Sequence, residues 1–213
     1  MKKEEALKVA KPILFNTQMV RAITKGAGAN FKYYKTYTRR IMKPQPPNVL
    51  DENSQRYSRS RYNIGDILYV RETWCQIKDI PLWQQYHRGK NRKTEITPEE
   101  YVYKADNIPT KGIIIPKIKW HPSIHMPKEA ARIFLRITQV RVERLQNMDG
   151  LDALYEGVNT FVHPQAIYFD RAQREAFAKL WDSTIKKEEL DQYGWEANPW
   201  VWVYKFERVE VEP

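Results

Sequence analysis

Apolar positions recur along this chain at two spacings, and the switches between them mark its elements. The strongest two-residue rhythm is Trp200-Val201-Trp202-Val203-Tyr204-Lys205-Phe206-Glu207-Arg208-Val209. Its β-branched and aromatic content predicts a buried strand that closes a sheet, with Trp200 and Trp202 on one strand face as core. Pro12-Ile13-Leu14-Phe15 and Tyr101-Val102-Tyr103-Lys104-Ala105 read as shorter strands. The turn Asn63-Ile64-Gly65-Asp66 launches a β-rich run from Ile67 to Trp74. Ile133 to Ile137 and Val140 to Leu145 form one long strand or a bent pair. Ile113-Ile114-Ile115 is confined to an edge by Pro109 and Pro116.

The helical rhythm is clearest from Pro164 to about Thr184, where Ala172, Ala176, Phe177, Leu180 and Trp181 share a face. Asn16 is placed to cap a helix from Thr17 to Lys25, which Gly26 to Asn30 ends. Asp149 is placed to cap a short helix through Glu156, stopped by Gly157. Residues 1–10 read as a short mixed-charge helix. The stretch from Lys43 to Ser60, with three prolines, is a long loop. Residues 78–100 are polar and irregular, Trp120 to Pro127 is a loop, and Lys128 to Ala131 is at most one helical turn. Short strands with interspersed helices predict an α+β fold, most economically a small β-barrel with flanking helices and a polar insertion. Its 213 residues suit one domain with insertions at about 43–62 and 78–130.

Charge sharpens the picture. The formal charge is +10 and aromatics make up 13% of the chain, so phosphate attraction and base stacking are both available. The alternative use of the same residues is a Trp- and Tyr-filled core under a lysine surface. A basic cluster at Arg88, Lys90, Arg92 and Lys93 lies in the insertion. Cys75 is the one cysteine, which excludes a disulfide framework and suits a reducing compartment. The charged start has no apolar run after it, and no stretch approaches the ~20 apolar residues of a membrane span. A cytoplasmic protein with no membrane partner is expected. The scattered histidines His87, His121, His125 and His163 and the lack of phosphate or dinucleotide fingerprints predict neither metal nor cofactor.

The densest chemistry is Lys35-Thr36-Tyr37-Thr38-Arg39-Arg40. In an extended chain Thr36, Thr38 and Arg40 share one face, and Lys35, Tyr37 and Arg39 the other. A bend at the helix-to-strand junction would let Lys35 and Thr38 converge. Such a cluster either holds phosphate or is a solvated basic edge. Glu156 is a solvated helix end unless the fold turns it inward. Arg71 and Glu72 pair on a strand surface or contact a phosphate or base, and Trp74 and Trp120 stack a base or fill the core.

Lys35-Thr36-x-Thr38-Arg39-Arg40, followed by Gly65-Asp66-Ile67-Leu68-x-Val70, resembles the opening of the ASCH family. The longer phage and prophage members share the character of Val70-Arg71-Glu72-Thr73-Trp74, Ser123-Ile124-His125-Met126-Pro127, Ala153-x-x-Glu156-Gly157-Val158 and Asn198-Pro199-Trp200-Val201-Trp202-Val203. The resemblance runs over about residues 12–209. It implies a PUA-like barrel with a cleft for RNA or a modified nucleoside. Small bacterial members remove acetyl from N4-acetylcytidine, and their lysine, threonine and glutamate fall on Lys35, Thr38 and Glu156. The implied roles are base, nucleophile and acid, since a threonine hydroxyl needs a neighbouring base and the leaving amine needs a proton. Arg39, Arg40, Arg71, Glu72, Trp74, Trp120, Ser123 and His125 would contact nucleic acid or nucleoside. Gly26 to Tyr34 and 78–130 depart from the small enzymes as insertions. Three functions stay open: an amidohydrolase on N4-acylated cytidine, a non-catalytic RNA- or single-stranded-DNA-binding module of phage origin, and a ribonuclease using Lys35, Arg40 and Glu156.

Overall fold

A computed structural model describes residues 1–26, 33–46, 60–76, 101–106, 118–158 and 160–212. In chain order they form α1 (Lys3–Val9), β1 (Lys11–Leu14), α2 (Thr17–Thr24), β2 (Tyr37–Ile41), β3 (Ile67–Arg71), β4 (Trp74–Gln76) and β5 (Tyr101–Tyr103). There follow β6 (Phe134–Arg144), α3 (Gly150–Tyr155), α4 (Phe169–Asp182), α5 (Leu190–Tyr193) and β7 (Trp200–Val209). The basic cluster at Arg88 to Lys93, the run Ile113 to Ile115 and most of the long loop after Lys43 lie outside the described residues. Among the described residues no helix is long and apolar enough to cross a membrane.

The protein is α+β, but the expected barrel does not form. The main sheet is mixed and five-stranded, in the order β1-β3-β6-β7-β2, and β4 and β5 make a separate two-stranded sheet. β1 pairs with β3 in parallel, and β2 pairs with β7 antiparallel. The sheet is open, with β1 and β2 as its ends. β1 has only four residues, and one of them, Pro12, has no N–H to give a further ladder. The strand expected to close the sheet, β7, is instead an interior strand.

Chain packing divides the molecule into two compact units. The first comprises Met1–Arg21, Leu68–Phe134 and Glu210–Pro213. In it, β1 and β3 run in register from Lys11 opposite Leu68 to Leu14 opposite Arg71, and Ile13 and Val70 are fully buried. The cap on α2 is as expected, with Met19 N–H donating to Asn16 Oδ1 at 2.8 Å. The β-rich run from Ile67 to Trp74 does not continue unbroken. It leaves the main sheet after Arg71 and resumes at Trp74 opposite Tyr103 in the small sheet, where Cys75 is buried.

The second unit comprises Ala22–Ile67 and Leu135–Val209. Its core gathers Leu145, Met148, Ala153, Val158, Phe177, Trp181, Val201 and Val203. The run from Ile133 to Leu145 yields one continuous strand, β6. Asn198 holds a left-handed φ of 47° that asparagine tolerates, and its carbonyl and side chain accept from Arg144 and from Gln146 N–H. Two departures from the pattern are instructive. α4 begins at Phe169, because three-residue turns close His163 to Ala166 and Ala166 to Phe169 first. Trp200 and Trp202 are only half-buried, whereas Val201 and Val203 are wholly enclosed. Further along the strand the burial changes face: Tyr204 and Phe206, on the side of the tryptophans, are enclosed, while Lys205 and Glu207 are exposed.

Gly65 and Gly157 both hold φ near +90°, at 88° and 92°. A Cβ on Gly65 would meet nothing within 4 Å, whereas one on Gly157 would lie 2.7 Å from Ala22 Cβ. Gly65→Ala is expected to cost about 1–2 kcal/mol, the strain of a left-handed alanine. Gly157→Ala is expected to cost more. Urea midpoints for the two variants check the order, and equal losses would contradict it.

Candidate functional site

The register of β2 against β7 sets Arg39 opposite the fully buried Val203 and Ile41 opposite Val201. Alternation therefore puts a guanidinium on the face that the valines bury. A buried charge is tolerable only when paired and hydrogen-bonded. The partners come from β6 and α3. Arg39 Nε and Nη2 donate to Glu143 Oε1 at 3.1 and 2.7 Å, Nη2 also to Asp152 Oδ2 at 2.7 Å, and Nη1 to Glu156 Oε1 at 3.2 Å. Asp152 and Glu156 are four residues apart at the α3 end, so one helix face delivers both. Arg141 closes the network, donating to Glu143 Oε2 at 2.9 Å and lying 3.6 Å from Asp152. Burial alone would lower the Arg39 pKa, but the three carboxylates outweigh it and raise it.

Lys35 enters from the segment before β2. That segment is anchored by Lys35 N–H to Ala22 O at 3.0 Å and Thr36 N–H to Tyr155 O at 2.9 Å. The Lys35 stem passes beside Gly157, where a Cβ would sit 3.4 Å from Lys35 Cδ, at ordinary contact distance. The ammonium donates to Tyr37 O and Glu156 O, both at 2.6 Å, and to Glu156 Oε2 at 2.8 Å. Three oxygen acceptors suit a protonated amine, whose three N–H bonds all point outward. Burial lowers the Lys35 pKa from the ordinary lysine value, and the Glu156 charge restores only part of that. For Glu156 burial acts upward, but Lys35 and Arg39 together hold its carboxyl below the usual range.

Thr38 is buried on the opposite face of β2 from Arg39, opposite Tyr204 in the register, and Arg40 shares its face. The charge of Arg40 acts on both Lys35 and Glu156. The ion pair sits beside the start of β2, Lys35 lying two residues before Tyr37 and donating to its carbonyl.

The other six expected contact residues belong to the first unit. Glu72, 1% exposed, receives both edges of Arg132, Nε to Oε1 at 2.8 Å and Nη2 to Oε2 at 2.9 Å. Arg132 also binds Asp106 and lies 3.9 Å over the Tyr103 ring. Arg71 Nη2 donates to Ile124 O. Trp74 stacks on His121, with ring centroids 4.8 Å apart. Trp120 and Ser123 are half-buried and His125 is exposed, in the loop that carries Ile124. As folded, the guanidinium of Arg39 and the carboxylate of Glu72 are committed to protein partners.

Glu143, Asp152, Arg141, Arg132 and Asp106 were not singled out by the sequence. The four-residue spacing of Asp152 and Glu156, and the two-residue spacing of Arg141 and Glu143, were the available signals. Each is common on solvated surfaces, so neither points inward by itself. Among the described residues no group of His, Cys, Asp and Glu is arranged to hold a metal ion. No family model matches the chain, and neither a curated protein nor a solved structure matches it.

Glu156→Gln leaves Lys35 and Arg39 buried and one carboxylate short, with an expected cost of about 3–5 kcal/mol at neutral pH. Asp152→Asn is expected to cost less, because that side chain is 22% exposed and Arg39 keeps its other partners. The folded-state pKa of Glu156 lies below its unfolded value of about 4.3. Its contribution is therefore complete above that value and lost as pH falls through the folded one. Denaturant unfolding from pH 7 down to acid should show the wild type losing more stability than Glu156→Gln. Parallel curves would contradict this.

Proposed function

We propose that the chain is an ASCH-type, PUA-like protein that binds a modified nucleoside or nucleic acid, and that it hydrolyses N4-acylated cytidine. The observation that carries this reading is the buried Lys35–Glu156 hydrogen bond of 2.8 Å at the start of the strand bearing Thr38. It brings together two of the three residue types the chemistry needs, from positions 121 residues apart in the chain. The resemblance of the five sequence blocks supplies the substrate class.

The position of one proton defines the roles. With it on Lys35 the pair is ionic. Once it moves to Glu156, Lys35 is a neutral amine able to take the Thr38 hydroxyl proton, and Glu156 is a carboxylic acid. The lowered lysine pKa reduces the cost of that move. Thr38 Oγ then bonds to the acyl carbon as the bond to N4 breaks. The proton on Glu156 goes to the leaving amine, and water later releases the carboxylic acid and restores the hydroxyl. Arg39 holds the Glu156 carboxylate in position throughout.

One observation favours a second reading. Lys35 and Arg39 are satisfied by protein acceptors without any ligand, as a buttress inside a binding module would be. The two readings separate on Thr38→Ala. For the hydrolase, acyl loss from N4-acetylcytidine, followed by chromatography, should fall by at least ~100-fold while nucleoside affinity stays within a few-fold. Wild-type turnover should fall as pH rises and strips the shared proton from the pair, below the ordinary lysine range, because Glu156 then has no proton to pass to the leaving amine. An active Thr38→Ala protein would remove the nucleophile assignment. No turnover of any N4-acylated cytidine by the wild type would leave the binding module.

A further inference from the structure

We propose that Glu143 and Arg141 are positioning residues of the Lys35–Glu156 pair: acting through Arg39, they govern in opposite senses how firmly that pair keeps its shared proton. As it bears on turnover, this role rests on the hydrolase reading above.

Six charged side chains of the second unit form a line of alternating sign that runs outward from Lys35. Lys35 and Arg39 share Glu156, one on each oxygen, at 2.8 and 3.2 Å. Arg39 gives its shorter bonds to the next carboxylates, 2.7 Å to Glu143 and 2.7 Å to Asp152. Arg141 stands beyond them, 2.9 Å from Glu143 Oε2 and 3.6 Å from Asp152 Oδ2. Exposure rises along the line: the Lys35 and Arg39 side chains are sealed, while Glu143 is 15% and Arg141 30% exposed. Three cations face three carboxylates, so the line is neutral as a whole.

Neighbours in such a line compete. The short bonds to Glu143 and Asp152 draw the Arg39 guanidinium away from Glu156. Arg141 opposes this, because it takes the second oxygen of Glu143 and lies against Asp152. Water cannot replace a charge removed beside sealed groups, so the loss of an outer member is felt by the inner ones. Arginine does not give up its proton, and in alkaline solution carboxylates hold none, so the adjustment falls on Lys35. There Glu156 holds the ammonium, while Arg39 and Arg40 work against it. Without Glu143, Arg39 turns more of its charge on the pair and the proton leaves more readily. Without Arg141, Glu143 and Asp152 hold Arg39 more completely and the proton stays longer.

The other charges around the pair come from four places. Arg40 acts from the Thr38 face of β2. Asp149 caps α3 and adds its charge to that of Asp152. On β7, Lys205 lies 5.6 Å over the Tyr37 ring, which Arg141 also covers at 5.3 Å. On α2, which accepts the Lys35 N–H at Ala22, Arg21 is turned to the carbonyls of Lys104 and Ala105. The variants below leave all four unchanged.

The test follows the ¹³Cε resonance of Lys35 against pH in full-length protein labelled at lysine, assigned by through-bond correlation to its own backbone amide. In the wild type it should titrate below the ordinary lysine value of about 10.4. Glu143→Gln should move the midpoint down by about one pH unit, and Arg141→Gln should move it up by a comparable amount. Arg141→Lys restores the charge and should return the midpoint to that of the wild type. Circular dichroism over the same range marks where the fold holds. The pH at which hydrolysis of N4-acetylcytidine falls should follow the midpoint in each variant. Loosened packing would move both variants the same way, so equal directions or unmoved midpoints would overturn the proposal. If Glu143→Gln does not fold, Arg141→Gln at its partly exposed position decides alone, and a midpoint that does not rise overturns the proposal. Opposite shifts in a protein that hydrolyses no N4-acylated cytidine would support the control of the proton and sink the hydrolase reading alone.

Discussion

The second unit depends on one buried guanidinium. Arg39 stands on the strand face that Val201 and Val203 bury, and its side chain has no exposed surface. An arginine there is tolerable only if carboxylates meet it, and Glu143, Asp152 and Glu156 do so from β6 and α3. That requirement ties the edge strand β2 to an interior strand and to a helix arriving more than a hundred residues later. The hydrophobic cluster around Phe177 and Trp181 supplies burial without direction. The network supplies direction, because a planar fork accepts few arrangements of oxygen.

The same network sets the condition of the site. Glu156 serves two cations at once, Lys35 through Oε2 and Arg39 through Oε1. Arg39 keeps the carboxylate ionised and oriented, and the carboxylate keeps a deeply buried lysine in place. Desolvation works against the lysine's charge, and the Glu156 carboxylate restores part of what burial takes away. A site of this kind can be a structural buttress and a reactive pair with the same atoms. What separates the roles is whether a substrate reaches the Thr38 face of β2.

The first unit solves a similar problem in another way. Glu72 is enclosed, and Arg132 meets it with two parallel hydrogen bonds while also binding Asp106 and covering Tyr103. These bonds absorb Glu72 into the scaffold. They leave the neighbouring Arg71 and Trp74 with the nitrogens that find no acceptor.

Local chemistry was legible in the sequence where its cause is local. The Asn16 and Asp149 caps, the turn at Gly65 and the stop at Gly157 each rest on hydrogen bonds or φ angles within a few residues, and each formed as the residues require. The α+β class followed from the two hydrophobic rhythms. The Lys35 to Arg40 block was visible as chemistry for the same reason, since its density of charge and hydroxyls is written along the chain. What alternation could not say is which face is inside. β7 is enclosed at Val201 and Val203 on one face and at Tyr204 and Phe206 on the other, a change along one strand that alternation does not carry. It could not say that the sheet stays open, because closure is a pairing between strands far apart in sequence. Nor could it say that Arg39 and Glu156 are spent on each other: a charge at a helix end looks the same whether water or a guanidinium surrounds it. Only the tertiary structure brings those residues to hydrogen-bonding distance, and there burial turns two ordinary charges into the constraint on which the unit is built.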